Sequence, residues 1–197
     1  MNDPALLPAI ELLHRSLPPR AVIADVGAGP GAAAKYLRGY GHQVIEFDYG
    51  RDGVRFEDLE IDSRFDALYC SHMLEHCRNP GLTLDRFREA VKVGGYLCIM
   101  VPPAKHNIVG GHLTLWNAGL LLYNLVRAHF DCSDARVRCY GYNVAVVFRN
   151  HWADYADAEL AEDNGDIEAL ARFFPFPVMQ GFDGRVMVHN WTPFHGA

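Results

Sequence analysis

Apolar positions along the chain fall into two alternating rhythms. Across residues 4–16, Leu6, Leu7, Ile10 and Leu13 recur at the spacing of one helix face, continued by Leu17. Pro18 and Pro19 then forbid further helix. Residues 21–26 form a short continuous apolar run, the mark of a strand buried on both faces. Small residues Ala32, Ala33 and Ala34 open a helix over 30–38, with Gly39 or Gly41 as its stop. A second strand is predicted at 43–47, a weak third at 54–56 and a fourth at 65–70. A helix over 82–91 turns Leu84, Phe87 and Val91 inward, and a fifth strand follows at 96–101. A long apolar helix over 115–129 precedes two last strands, 135–140 and 142–149, paired around Gly141. Strands alternating with helices predict an α/β domain, a parallel sheet covered on both faces.

After Arg149 the composition changes. Residues 154–172 are acidic and read as helical, residues 173–177 as a rigid aromatic linker, and residues 186–190 as a short strand after a turn. The chain therefore divides into a main domain, 1–149, and an appendage, 150–197, packed on the same domain. The appendage is expected to support the substrate side or a homodimer contact.

The chemistry-bearing signal lies between the first two strands. Gly27, Gly29 and Gly31 follow the first strand, and Asp48 ends the second. Glycines let backbone approach a bound molecule where a Cβ would collide. A helix start presents free N–H groups to a negative group. A carboxylate closing the next strand can grip ribose hydroxyls. These parts describe a nucleoside-containing cofactor laid across strand tips. Glu46 shares the alternation face of Asp48 and is the fallback should the register slip by two.

This constellation resembles the class I S-adenosylmethionine-dependent methyltransferases. Their acidic-x-Gly-x-Gly-x-Gly motif is matched by Asp25, Gly27, Gly29 and Gly31, and their ribose-binding acid by Asp48. Residues 65–76, ending in Leu74, Glu75 and His76 and followed by Asn79 and Pro80, look like the family's fourth strand and helix start. Residues 93–103, opening on Gly94 and Gly95, look like its fifth. The likeness runs in order from residue 21 to about residue 148. It implies a Rossmann-like, doubly wound, mostly parallel seven-stranded sheet with the last strand antiparallel. It implies S-adenosyl-L-methionine as cofactor, held at its amino group with help from Asp25 and at its ribose by Asp48. Asp58, or Glu57 in its place, would meet the adenine amino group, and the turn of Ser71 and His72 would line the sulfonium and ribose.

A nicotinamide dehydrogenase is the rival, because Gly27, Gly29 and Ala32 also satisfy the looser dinucleotide fingerprint. Gly31, Asp25 and the Leu-Glu-His segment fit the methyltransferase pattern better. A cofactor-binding module that transfers nothing is the third reading.

Charge and cysteines narrow the partners. With 18 basic against 24 acidic residues the chain carries a net charge of −6, which argues against a nucleic-acid backbone as partner. Five cysteines, with no Cys-x-x-Cys pair, fit a reduced cytoplasmic compartment. The opening residues do not read as a signal peptide. No apolar run reaches the ~20 residues of a membrane span. A small-molecule or sugar acceptor, methylated at oxygen, is the expectation; the sugar reading comes from a likeness of residues 111–142 to bacterial glycan methyltransferases.

The loop 102–112 follows the fifth strand, where an acceptor would arrive, and carries His106, His112 and a Gly110-Gly111 hinge. It is expected to close over the acceptor with His112 as general base, His106 as runner-up and His76 in reserve. His72, Glu75 and His76 also match the His-x-x-Glu-His zinc pattern. A catalytic zinc needs a third protein ligand, and none is signalled, so no metal is expected.

Overall fold

The computed structural model of the chain describes residues 6–59, 61 and 64–194. In order the elements are α1 (Leu7–Ser16), β1 (Val22–Val26), α2 (Ala32–Gly39), β2 (Gln43–Phe47), α3 (Tyr49–Asp52), β3 (Phe65–Ser71), α4 (Pro80–Ala90), β4 (Val91–Val101), α5 (Ala118–Arg127), β5 (Arg136–Tyr140), β6 (Asn143–Arg149), α6 (Asp166–Ala169) and β7 (Val188–His189). Three 3-10 turns, at Phe56–Asp58, Leu74–His76 and Ala171–Phe173, join them. Positions 4 and 5 of the predicted first helix lie outside the described residues.

The sheet order is β2-β1-β3-β4-β6-β5-β7. β1 pairs in parallel with β2 and β3, and β3 with β4. β6 runs antiparallel to β4 and β5, and β7 antiparallel to β5. Strand alternation feeds two apolar layers. Leu68 and Cys70 of β3 pack with Leu84, Phe87, Leu121 and Leu125 of α4 and α5. Ala67 and Tyr69 pack on the opposite face with Ile10, Leu13, Ala33 and Leu37 of α1 and α2. Burying both faces explains why the central strands read as unbroken apolar runs.

The predicted strand at 54–56 does not form. Gly53, at φ +70°, closes α3, and Phe56 already belongs to a 3-10 turn, so too little extended backbone remains to pair. β2 is therefore an edge of the sheet. Two of its carbonyls are covered by guanidinium groups, Val44 by Arg38 at 2.9 Å and Glu46 by Arg51 at 2.9 Å, which blunts the edge against stray pairing. The seventh strand comes from the other end of the chain, as β7.

The helix predicted over 154–172 shrinks to the four residues of α6. Glu162 and Gly165 take positive φ, and the Asp166 carboxylate accepts from the N–H groups of Ala161 and Glu162, both at 2.9 Å. A short acid bonding nearby backbone competes with helix here. The helix predicted from 115 starts only at Ala118. Asn117 caps it by accepting from Leu120 N–H at 2.8 Å, and Trp116 instead bridges Pro103. Leu170, Phe173 and Phe174 join the α4/α5 layer and Phe194 the α1/α2 layer, so the segment after residue 150 shares the main core. Among the described residues no helix is long and apolar enough to cross a membrane.

Candidate active site

The glycine turn is stapled to the tip of β2. Gly27 and Ala28 donate to the Phe47 carbonyl at 2.8 and 3.2 Å, and Gly29 N–H donates to Asp48 Oδ2 at 2.7 Å. Gly27, Gly29 and Gly31 all take positive φ, but they serve different ends. A Cβ at Gly27 would stand 2.6 Å from Met73 Cβ, so this glycine lets the first and third strand tips approach. A Cβ at Gly31 would meet Glu46 Oε2 at 3.0 Å, and Gly31 turns the chain into α2. A Cβ at Gly29 would meet nothing within 4 Å: it faces open space.

Two cavities meet at this turn and share Gly27, Gly29 and His72. One, of about 350 Å³, is walled by Phe47, Asp48, Tyr49, Phe56, Glu57 and Met73. The other, of about 370 Å³, is walled by Asp25, Ala28, Tyr69 and Ser71 with residues of α2. Asp25 is 2 % exposed, and its Oδ2 has no hydrogen-bond partner. Burial, reinforced by the Glu46 and Asp48 charges, pushes its carboxyl up to about 7.

Most of the predicted residues line these walls: Asp25, Gly27, Gly29, Asp48, Ser71 and His72. Glu46 does not; it is held in ion pairs by Arg38 at 2.7 Å and Arg51 at 3.4 Å. Gly31 lines neither cavity. Asp58 does not line either cavity. Without a third strand, the 3-10 turn presents Phe56 and Glu57 to the larger wall, and Asp58 is off it. The aromatic wall of Phe47, Tyr49 and Phe56 escaped prediction, although the first two flank Asp48 in sequence. His72 holds φ +53°, an uncommon backbone for a side chain with a Cβ. Its Nε2 lies 2.8 Å from Asn143 Oδ1, and its ring stacks at 6.0 Å on Tyr142.

A second cluster stands beside the first cavity. Glu75 is fully buried, and neither carboxylate oxygen has a hydrogen-bond partner. His72 Nδ1 lies 3.5 Å and His76 Nε2 3.8 Å from its Oε1. The His112 ring meets the His76 ring edge-on at 5.1 Å. His112 and His76 thus come together as predicted catalytic candidates, whereas His106 is exposed and outside the cluster. The helical zinc pair of His72 and His76 does not form, because the segment between them is a 3-10 turn and Asn143 engages His72.

Comparison with known proteins bears on the family and the fold. A family model described as a methyltransferase domain matches residues 4–137. No curated protein sequence matches the chain significantly. Among solved structures, the 1,6-didemethyltoxoflavin-N1-methyltransferase of Burkholderia thailandensis, bound to S-adenosylhomocysteine, superposes with a TM-score of 0.64 at 22% identity, over 77% of this chain and 79% of that one. An S-adenosylmethionine-dependent methyltransferase of Thermotoga maritima gives 0.53 at 16% identity, over 75% and 89%. Phosphoethanolamine N-methyltransferase 2 of Haemonchus contortus, with S-adenosyl-L-methionine, gives 0.54 at 18%, over 66% of this chain and 37% of that one. With its sheet order, its glycine turn and a family match across most of its length, the chain belongs to the class I S-adenosylmethionine-dependent methyltransferases.

Proposed function

We propose that the protein transfers a methyl group from S-adenosylmethionine to a small-molecule acceptor, and that the cofactor lies across the glycine turn with its two ends in the two cavities. The observation that carries this reading is the pair of carboxylates at opposite ends of one cleft. Asp25, buried and with an unpartnered oxygen, suits an amino group. Asp48, held by Gly29 N–H, suits ribose hydroxyls. The open space beside Gly29 suits close passage of a ligand between them.

When bound, the cofactor supplies a methyl group on a positively charged sulfur. The chain's own residues orient it and exclude water. Phe47, Tyr49, Phe56 and Met73 offer apolar faces to a purine, with Glu57 as the acid nearest its amino edge. Ser71 and His72 line the passage between the cavities. Fixed alignment of methyl and acceptor in a dry cleft supplies much of the rate in such a displacement. His112 and His76, beside Glu75, take the acceptor side, where a departing proton must be handled.

Oxygen is the acceptor atom on our reading, a sugar hydroxyl included. Nitrogen is the second, favoured by the N-methyltransferases among the structural neighbours. The test is transfer of a labelled methyl group from S-adenosylmethionine to panels of hydroxyl and amine acceptors. Turnover of any small acceptor supports the reading. Tight cofactor binding with no transfer across both panels leaves a binding module instead.

A further inference from the structure

We propose that Glu75, His76 and His112 form a binding site for a divalent transition-metal ion, zinc being the natural probe. One ligand atom from each of these residues can be chosen so that all lie within 4.8 Å of one another. Metal bonds of about 2.0–2.2 Å to imidazole nitrogen and carboxylate oxygen then need only a small inward movement of the side chains.

Three independent features point to a cation. First, a fully buried carboxylate with no hydrogen bond on either oxygen, met only by imidazole nitrogens of His72 at 3.5 Å and His76 at 3.8 Å, is costly unless a positive charge meets it. Second, the His76 ring is already set for ligation. Its Nδ1–H donates to the Gly111 carbonyl at 2.7 Å, which leaves the Nε2 lone pair directed elsewhere, and this Nε2 is the atom 3.8 Å from Glu75 Oε1. A carbonyl accepting from the far ring nitrogen is the usual support of a metal-binding histidine. Third, the two ligand-bearing segments are strapped together. Leu113 and Thr114 N–H donate to the Glu75 carbonyl at 2.8 and 3.3 Å, so the loop delivers His112 to the Glu75–His76 turn.

Two imidazoles and one carboxylate favour zinc or a neighbouring first-row ion over magnesium or calcium, which prefer all-oxygen sets. Three protein ligands leave a coordination position open. The His76 side chain is 47% exposed and forms part of the wall of the larger cavity, so the cluster is open to that cavity on the His76 side. The role follows from the acceptor side assigned above and rests on that reading: an ion there binds the acceptor's donor atom and lowers its proton affinity. The imidazoles then act through the metal rather than as free bases. Binding itself rests on the geometry alone.

The test uses untagged full-length protein stripped with a chelator and titrated with Zn²⁺ calorimetrically and with Co²⁺ by visible absorption. One equivalent per chain is expected. His76→Ala and His112→Ala should each weaken Zn²⁺ at least about tenfold and bleach the Co²⁺ bands, while His106→Ala, on the same loop, keeps both. Glu75→Gln is read only if its melting curve shows a folded protein. Absence of stoichiometric binding, or a site indifferent to both histidine changes, overturns the proposal. S-adenosylhomocysteine titrated into the same samples separates the two readings. Its binding without Zn²⁺ sinks the metal site alone, and Zn²⁺ binding without it supports the metal site and sinks the cofactor reading.

Discussion

Asp25 holds a proton in the free protein far above the range of an ordinary carboxylate, because burial disfavours its charge. The folded state therefore binds this proton more tightly than the unfolded chain does. The stability it adds is complete below about pH 4 and is lost as pH rises through about 7. Asp25→Asn should accordingly melt higher than wild type at pH 8, with the difference closing toward pH 4. A cationic amino group arriving beside Asp25 should expel its proton. Calorimetric enthalpies for S-adenosylhomocysteine near pH 6.5 should then vary with buffer ionisation heat in wild type and not in Asp25→Asn. The glycines separate in the same way. Gly27→Ala should lose stability by collision with Met73. Gly29→Ala carries only the strain of its positive φ, about 1–2 kcal/mol, and should show its larger effect on ligand affinity. Asp48→Ala should weaken S-adenosylhomocysteine by about 1–3 kcal/mol and Asp48→Asn by less. Glu46→Ala, which frees Arg38 and Arg51 but faces neither cavity, should leave affinity nearly unchanged.

Elements with strong local signals were legible, and those that depend on partners were not. β1 and β3 are apolar runs bounded by glycine or polar turns, and they formed where the pattern placed them; β4, expected from residue 96, already begins at Val91, because Val91 pairs with Phe65 and the Gly94-Gly95 stretch continues the strand through a register shift instead of making a turn. α4 begins at Asn79, whose side chain accepts from Leu82 N–H at 3.1 Å, and Pro80 sits where a missing N–H costs nothing. Asn79→Ala should lower stability by about 1 kcal/mol, read as a shift in denaturant midpoint without a change in slope. The failures share a cause. Residues 54–56 had β-type composition but too little extended backbone between Gly53 and the 3-10 turn to pair with the edge of β2, and the acidic 154–172 segment had helical composition but Gly165 and a side chain that captured its backbone. Neither pairing nor capture is visible in a single window of sequence. With that strand absent, Glu57, the alternative to Asp58, is the acid that lines the larger cavity.

At the scale of the whole molecule, the candidate cleft was legible because its residues sit at the tips of β1, β2 and β3, each marked by a short local motif. The Glu75–His76–His112 cluster was not, because it joins two segments through a loop whose path follows from backbone hydrogen bonds to Glu75. His112 was singled out for its place after β4, and Glu75 for the Leu-Glu-His segment and a zinc pattern that lacked a third ligand, with nothing in the sequence joining the two. The central claim is that one cleft, closed by Asp25 and Asp48, is built for S-adenosylmethionine. Side-by-side calorimetric titration of S-adenosylhomocysteine and NAD into the wild-type chain, repeated with Asp48→Ala, tests it most directly. One S-adenosylhomocysteine per chain is expected, weakened about fivefold or more by Asp48→Ala, with no saturable NAD binding. NAD binding more tightly than S-adenosylhomocysteine, or S-adenosylhomocysteine affinity unmoved by Asp48→Ala, would contradict it.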